Sequence, residues 1–475
     1  MKVHRATRLA LTLAAVAIPA GAGAWNGALR AQAFGLNEVG SCAIGRAFAT
    51  TASPCLDAST IYWNPAAATW LSGWSATAGV SAISIKARFT QDTTRRAWNA
   101  TTPTQWVPDA FINYHSPSSK AAFGVGFYVP YGLTSEWPSD FPGRFSASKV
   151  SLRTFYIQPN IAWQITPQWS IGGGPVYGHS AIELNQAVDL SAQVLPTGQT
   201  FAQIGVAAQT QFAQVHLTAN SNAWGAQIAV SGRPSPAWSL GLRFLTPLEF
   251  KFDNGTATFT QVPTNLVIGG NLPGPTPQTT IPAGTPIDVL LAPQFAAGGP
   301  LVTQQASTKV THPAQIQAGI AYSGYRNWLL EADYFWAGWK RFNVLPITFA
   351  VAPSRTLIEN FNNSSGVRLG AEYTIPTGGW KLRGGFAAAA SAAPPETVTP
   401  LLPEQDRSYW TFGAGIPLLS RWTLDASYAH IGTGGARGRI IERTSQNASL
   451  TADQLNSGVY NLSANIFSFS LKASF

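Results

Sequence analysis

Six histidines, two cysteines and a few basic residues are the groups in this chain whose types and spacing bear on chemistry. His4, His115, His179, His216, His312 and His430 show no metal-ligand spacing and accompany no serine-nucleophile motif. Lipase-type hydrolysis needs a serine, a histidine and an amide brought together; nothing here signals a nucleophile and base pair, so no enzyme is expected. "GGGP" at 172–175 lacks the Gly-Lys-Ser/Thr ending of a phosphate loop, and "GTGGARGR" at 432–439 reads as an outer loop. Cys42 and Cys55 have no companion Cys or His pair, so neither metal nor cofactor is expected. In an oxidising compartment they either close a short loop as a disulfide or remain two thiols.

Arg243, Arg368, Lys381 and Arg383 raise a sharper question, because a cation in an oily pocket anchors a carboxylate ligand. The competing reading is structural: Glu249, Glu331, Asp333, Glu372 and Asp425 are predicted on the same face, where paired charges brace an interior. The choice depends on the elements that carry these residues.

Composition points to strands and an interface-seeking surface. The 475 residues are 45% hydrophobic and only 11% charged, with 17 Trp, 44 Gly and 33 Pro. The net charge of +9 is spread singly along the chain rather than clustered with aromatics, so nucleic acid is not an expected partner. Residues 1–33 read as an export signal: Lys2, Arg5 and Arg8, then "LALTLAAVAI", then small residues, with cleavage after Ala24 or Ala33. No later apolar run is long enough for a spanning helix.

From residue 73 onward, strand-like segments recur near 73–89, 107–116, 121–131, 149–164, 168–184, 212–231, 237–252, 308–322, 327–342, 365–375, 380–390, 408–416, 421–431 and 465–475. The breaks alternate. "SPSSK", "TPQ", "RPSP", "GYRN", "PTGG" and "PLLS" are short, whereas 132–148, 185–211, 253–307, 343–364, 391–407 and 432–464 are long. Tight turns on one side and long loops on the other predict an all-β fold: a transmembrane antiparallel barrel of about fourteen strands spanning 73–475. Within 237–252, Trp238, Leu240, Leu242, Phe244, Leu248, Phe250 and Phe252 are expected toward lipid, with Ser239, Arg243, Glu249 and Lys251 toward the lumen. Trp238, Trp328, Trp380 and Trp422 sit beside short turns, where an interfacial girdle belongs. Lipid cannot satisfy an open sheet edge, so the final strand "NIFSFSLKASF" must pair with the first. Its Phe475 resembles the terminal aromatic assembly signal of outer-membrane proteins, implying the barrel-assembly machinery and outer-membrane lipid as partners.

Residues 34–72 are too apolar for a free tail and are expected inside the barrel as a plug. Their "FGLNEVGSCAIGRAFA" and "IYWNPAAAT" resemble the N-terminal hatch of the FadL/TodX family, with Asn64-Pro65-Ala66 matching its NPA triplet. "VPYGLTSEWPSDFPGRF" and "PEQDRSYWTFGAGI" are similar to later family segments, in the right order. The resemblance implies a monomeric, hatch-plugged barrel of the bacterial outer membrane for passive uptake of a hydrophobic small-molecule ligand such as a long-chain fatty acid or aromatic hydrocarbon. It further implies an external loop site, a lumenal pocket and lateral release at an inward kink of the third strand. That kink would fall at Gly124, Gly126, Pro130, Tyr131 and Gly132, held by Asn64, Pro65 and Ala66, unless Pro130 merely ends the strand. Leu290, Leu291 and Phe295 in loop 253–307 either form a capture groove or bury against loop 185–211. The family's ligand-anchoring basic residues have no match here; "VYGHSAIELNQ" offers His179 or neutral residues, which leaves neutral hydrocarbons open. A general diffusion porin shares the barrel but needs neither hatch nor apolar outer loop.

Overall fold

Alternating segments bounded by Gly, Pro, Ser and Asn turns satisfy their backbone only by pairing, and in the computed structural model they close on one another. The structure describes residues 34–475 except 196–197 and 275–277; the expected export signal, with both cleavage positions, lies outside the described residues. Fourteen antiparallel strands form the barrel. The first six are β1 (Gly73–Gln91), β2 (Gln105–His115), β3 (Ala121–Glu136), β4 (Lys149–Thr166), β5 (Trp169–Asp189) and β6 (Gln211–Ser235). Two interrupted strands follow, β7 (Trp238–Leu245 and Leu248–Gln261) and β8 (Gln304–His312 and Gln315–Tyr322). The circuit ends with β9 (Trp328–Ala337), β10 (Ser364–Thr374), β11 (Lys381–Ala389), β12 (Arg407–Leu419), β13 (Trp422–Thr433) and β14 (Gly458–Ser474). β14 pairs with β1 from Ser75↔Ser474 to Gln91↔Gly458, which leaves no edge at the seam. Phe475 extends the contact, its backbone N–H donating to Trp74 O at 2.9 Å.

The outer surface carries two aromatic rings. At the short-turn end Trp238, Trp328, Trp380 and Trp422 are exposed together with Trp74, Trp163 and Trp169. At the other end stand Trp106, Trp224 and Trp410. Between them Ile112, Phe123, Val125, Ile161, Leu242, Leu369, Leu382 and Leu471 face outward, as a lipid belt requires.

One strand departs from the expected phase. Leu242 and Phe244 face out, but Leu248, Phe250 and Phe252 are fully buried in the lumen, while Glu249 and Lys251 are exposed outside. Pro247 has no N–H to give the ladder, the strand breaks at Thr246–Pro247, and its continuation resumes one residue out of phase. Pro313 interrupts β8 opposite this break, so the two interruptions sit side by side. Glu249 therefore leaves the interior group and joins Lys251 and Lys309 on the outer surface, at 3.7 and 3.4 Å.

Candidate ligand pocket and lateral opening

Residues 34–72 fill the turn-side half of the lumen, and nearly every one of them is buried. A disulfide joins Cys42 to Cys55. Trp63 is wholly enclosed, and its indole N–H donates to Val39 O at 3.0 Å. Barrel carboxylates hold this hatch by its backbone. Asp333 accepts from the N–H groups of Thr50 and Thr51, each at 2.9 Å, and Glu331 accepts from Ala52 at 2.7 Å and Ser53 at 3.1 Å.

The four basic residues singled out in the sequence all have partners, and one of them, Arg368, bonds the hatch directly. Arg383 bridges Glu372 at 2.7 Å and Asp425 at 2.5 Å, and Lys381 shares Glu372 at 2.5 Å. Arg368 donates to Asn37 Oδ1 at 3.0 Å and to Phe48 O at 3.3 Å; Arg243 spans Gln315 and Gln227 at 3.1 and 3.0 Å and lies 4.8 Å from the Tyr62 ring. None of the four lines the apolar cavity described below.

Asn64 caps the short helix Pro65–Trp70. Its Oδ1 accepts from Ala66 N–H at 3.2 Å, and its Nδ2 donates to Thr51 O at 2.8 Å and Val230 O at 3.1 Å. Pro65 O accepts from Asn160 at 3.3 Å. Ala66 lies so close to β5 that a Cβ on Gly172 would stand 2.7 Å from its Cα. The triplet thus fastens the hatch to β4, β5 and β6, not to the kink of β3 as the resemblance suggested. A proline and an alanine are compact enough for this approach, and the kink lies further toward the long-loop end.

The kink is engaged by the start of the hatch. β3 pairs with β2 only from His115↔Ala122 to Ala110↔Phe127; beyond Phe127 that pairing ends, although β2 continues down to Gln105. On the β4 side the register shifts between Tyr128 and Tyr131, so Pro130 interrupts the strand rather than ending it. Leu36 N–H donates to Pro130 O at 2.8 Å, and Gly132 N–H donates to Phe34 O at 3.0 Å. Tyr128 and Tyr131 turn into the lumen and are fully buried. Gly124 and Gly126 sit below the kink, where a Cβ would meet Ile61 and Phe111, each at 2.6 Å.

Above Phe34 lies an apolar cavity of about 90 Å³. It is lined by Leu133, Val150, Leu152, Ile182, Leu184, Leu217 and Val310 from the wall, and by Phe342, Leu345, Ile347, Leu401 and Leu402 from the loops. Its one ionisable lining residue, Glu183, is paired with Lys149 at 2.8 Å. Phe34 closes the floor, packed on Trp339 at 4.7 Å, His312 at 5.8 Å and Tyr131 at 6.0 Å. About 150 Å³ suffices for a benzene-sized guest, so admitting a ligand requires Phe34 or the loop leucines to yield.

Leu291 of the external helix Ile287–Phe295 is buried against Leu190, Leu195, Phe201 and Phe212, with Leu290 and Phe295 partly buried beside it. Val267 and Val289 remain exposed on that loop. Sequence reasoning missed a polar cluster in the loop cover, in which Glu359 and Arg439 are buried and Arg355 and Glu442 half-buried. Burial and the neighbouring Glu442 push the Glu359 carboxyl well above its ordinary range. No spacing motif links these four, since they come from two different loops.

Residues 24–475 match the family described as outer membrane protein transport protein (OMPP1/FadL/TodX). This chain belongs to that family. The long-chain fatty acid transport protein of Escherichia coli K12 is 25% identical over 425 residues, covering 84% of this chain and 87% of the relative. Outer membrane protein P1 of Haemophilus influenzae Rd is 23% identical over 481 residues, covering 94% and 96%. Among solved structures, a Pseudomonas aeruginosa FadL homologue superposes with a TM-score of 0.76 at 17% identity, covering 93% of this chain and 100% of that one. The Pseudomonas putida toluene transporter TodX gives 0.66 at 14%, covering 94% and 100%. The family places this FadL/TodX-type barrel in the bacterial outer membrane as a transport protein.

Proposed function

We propose that this FadL/TodX-family barrel takes up hydrophobic small molecules by diffusion, without energy coupling, cofactor or catalysis, and works as a monomer. The assembly machinery would insert it with Phe475 as its signal. The observation that carries the transport reading is the contiguity of three features: the apolar cavity, Phe34 at its floor, and the unpaired stretch of β3 beside β2. Each buried methylene of a ligand contributes roughly 0.8 kcal/mol in such a cavity, which an aqueous pore does not offer. Loop residues Val267 and Val289 make the first contact, the cavity holds the ligand, and displacement of Phe34–Leu36 from the kink opens the way between β2 and β3 into the bilayer.

The relatives carry fatty acids or toluene by name, and the lining here favours the neutral class. No Arg or Lys lines the cavity, and Arg243, Arg368, Lys381 and Arg383 are occupied below it.

Uptake of radiolabelled toluene and oleate by a transporter-deficient strain expressing this chain, beside a version lacking residues 34–66, tests the reading. Uptake of either compound that depends on the hatch is expected, with toluene ahead of oleate. Entry of small sugars without either compound would establish a porin instead.

A further inference from the structure

The outward face of β1 changes character along its length. Near the middle it offers Ala78, Val80 and Ala82, flanked by the large exposed side chains of Trp106 on β2 and of Phe467, Phe469 and Leu471 on β14. Ala82 stands opposite both Trp106 and Phe467, so small residues form the floor of a furrow with aromatic walls. Toward the long loops the same face continues as Lys86 and Arg88, both exposed and two residues apart, hence side by side. These two cations line a groove of about 770 Å³ with Asn99, Thr101, Thr102, Asn461 and Ser463.

Among the described residues neither Lys86 nor Arg88 makes an ion pair or a hydrogen bond through its side chain. Nearby loop acids are committed elsewhere, Asp140 to Arg96 and Asp92 to Arg437. Glu136 reaches this edge through its carbonyl, which accepts from Thr101 N–H at 2.7 Å, and its single carboxylate set against two cations still leaves a net positive charge. The exposed lysines Lys251 and Lys309 elsewhere on the outer surface, by contrast, both pair with a carboxylate, that of Glu249.

We propose that this groove binds the headgroup of a phosphorylated, multiply acylated glycolipid of the outer leaflet. Phosphate oxygens accept from Lys86 and Arg88, sugar hydroxyls meet Asn461, Asn99 and Ser463, and an acyl chain runs down the furrow over Ala82 and Val80. The position selects a lipid: the cations stand directly above an apolar wall on the outside of a barrel, at its long-loop end. Juxtamembrane basic residues attract anionic headgroups, and a donor fork such as that of arginine matches phosphate geometry. The inference rests on the outer-membrane placement and is independent of the transported substrate.

Native mass spectrometry of the purified full-length barrel with bisphosphorylated lipid A as the probe tests it. A one-lipid adduct is expected that falls about tenfold in affinity when the lipid A is dephosphorylated, and similarly in the Lys86→Ser/Arg88→Ser variant. A Lys251→Ser/Lys309→Ser variant should retain the adduct, and toluene uptake should be unchanged in both variants. Equal binding of phosphorylated and dephosphorylated lipid A by the native protein would overturn the proposal, as would an undiminished adduct in the Lys86/Arg88 variant. Loss of the adduct to equimolar inorganic phosphate would show a simple anion site and overturn it too.

Discussion

The two halves of the lumen are filled by opposite means. In the turn-side half, directional contacts fix the hatch: Asp333 and Glu331 hold four consecutive backbone N–H groups, and Arg383 is clamped between two carboxylates. In the loop-side half, leucine, isoleucine, valine and phenylalanine face one another across a cavity whose one charged lining residue is Glu183, paired with Lys149. Hydrogen bonds and ion pairs reward one geometry, whereas apolar contacts are non-directional and tolerate rearrangement. On the proposed transport reading, directional contacts hold the plug in one geometry while the apolar half offers adaptable surface to ligands of varied shape. Phe34–Leu36 joins the halves, bonded to the β3 kink on one side and packed under the cavity on the other.

The contrast predicts different responses to substitution. Arg383→Met leaves Glu372 and Asp425 buried without their shared partner and should cost about 3–5 kcal/mol. A lowered temperature for loss of the folded, fast-migrating form on electrophoresis would register it. Leu152→Trp, which fills the cavity without breaking a polar contact, should leave that temperature nearly unchanged yet cut toluene uptake about tenfold, equivalent to about 1.4 kcal/mol of ligand binding. Comparable stability losses in the two variants would erase the distinction between the halves.

The loop cover supplies a pH test. Burial raises both Glu359 and Glu442 above the ordinary 4.5, so folded carboxyls retain protons that the unfolded segment has released. Stability from this cluster is therefore full below the ordinary value and is lost as pH rises through the raised folded values. Hydrogen exchange in residues 355–361 and 436–443, corrected for its intrinsic rate, should be slower near about pH 5 than near about pH 8, and Glu359→Gln should flatten the difference. Smallest of all, Glu249→Gln on the outer surface should change stability by less than about 0.5 kcal/mol, measured by the same electrophoretic transition. A larger effect would mean that exposed ion pairs also brace the wall.

Much of the architecture was legible because strand alternation and loop length are written locally. The stretch 121–132 carries Gly124, Gly126, Pro130 and Gly132, residue types that interrupt a ladder, and the register of β3 on β4 shifts between Tyr128 and Tyr131; the final strand had only β1 left to pair with. The phase of 237–252 misled beyond Phe244, since one proline moved Phe250 and Phe252 inward and Glu249 outward. Loop 253–307 read as apolar, but only folding showed Leu291 turned against loop 185–211 while Val267 and Val289 stayed exposed.

By itself the sequence determined the barrel, its strand number, its closure and the presence of a plug, because periodicity, turn chemistry and the ban on open edges in lipid act within or between adjacent segments. Tertiary structure alone decided which partner each buried charge takes and which hatch residues meet the kink. Arg383 finds Asp425 and Asp333 finds Thr50 across separations in sequence that no local pattern encodes. Those pairings follow from strand register and hatch depth, and burial enforces them because a charge removed from water must find its counterpart wherever the fold has brought it.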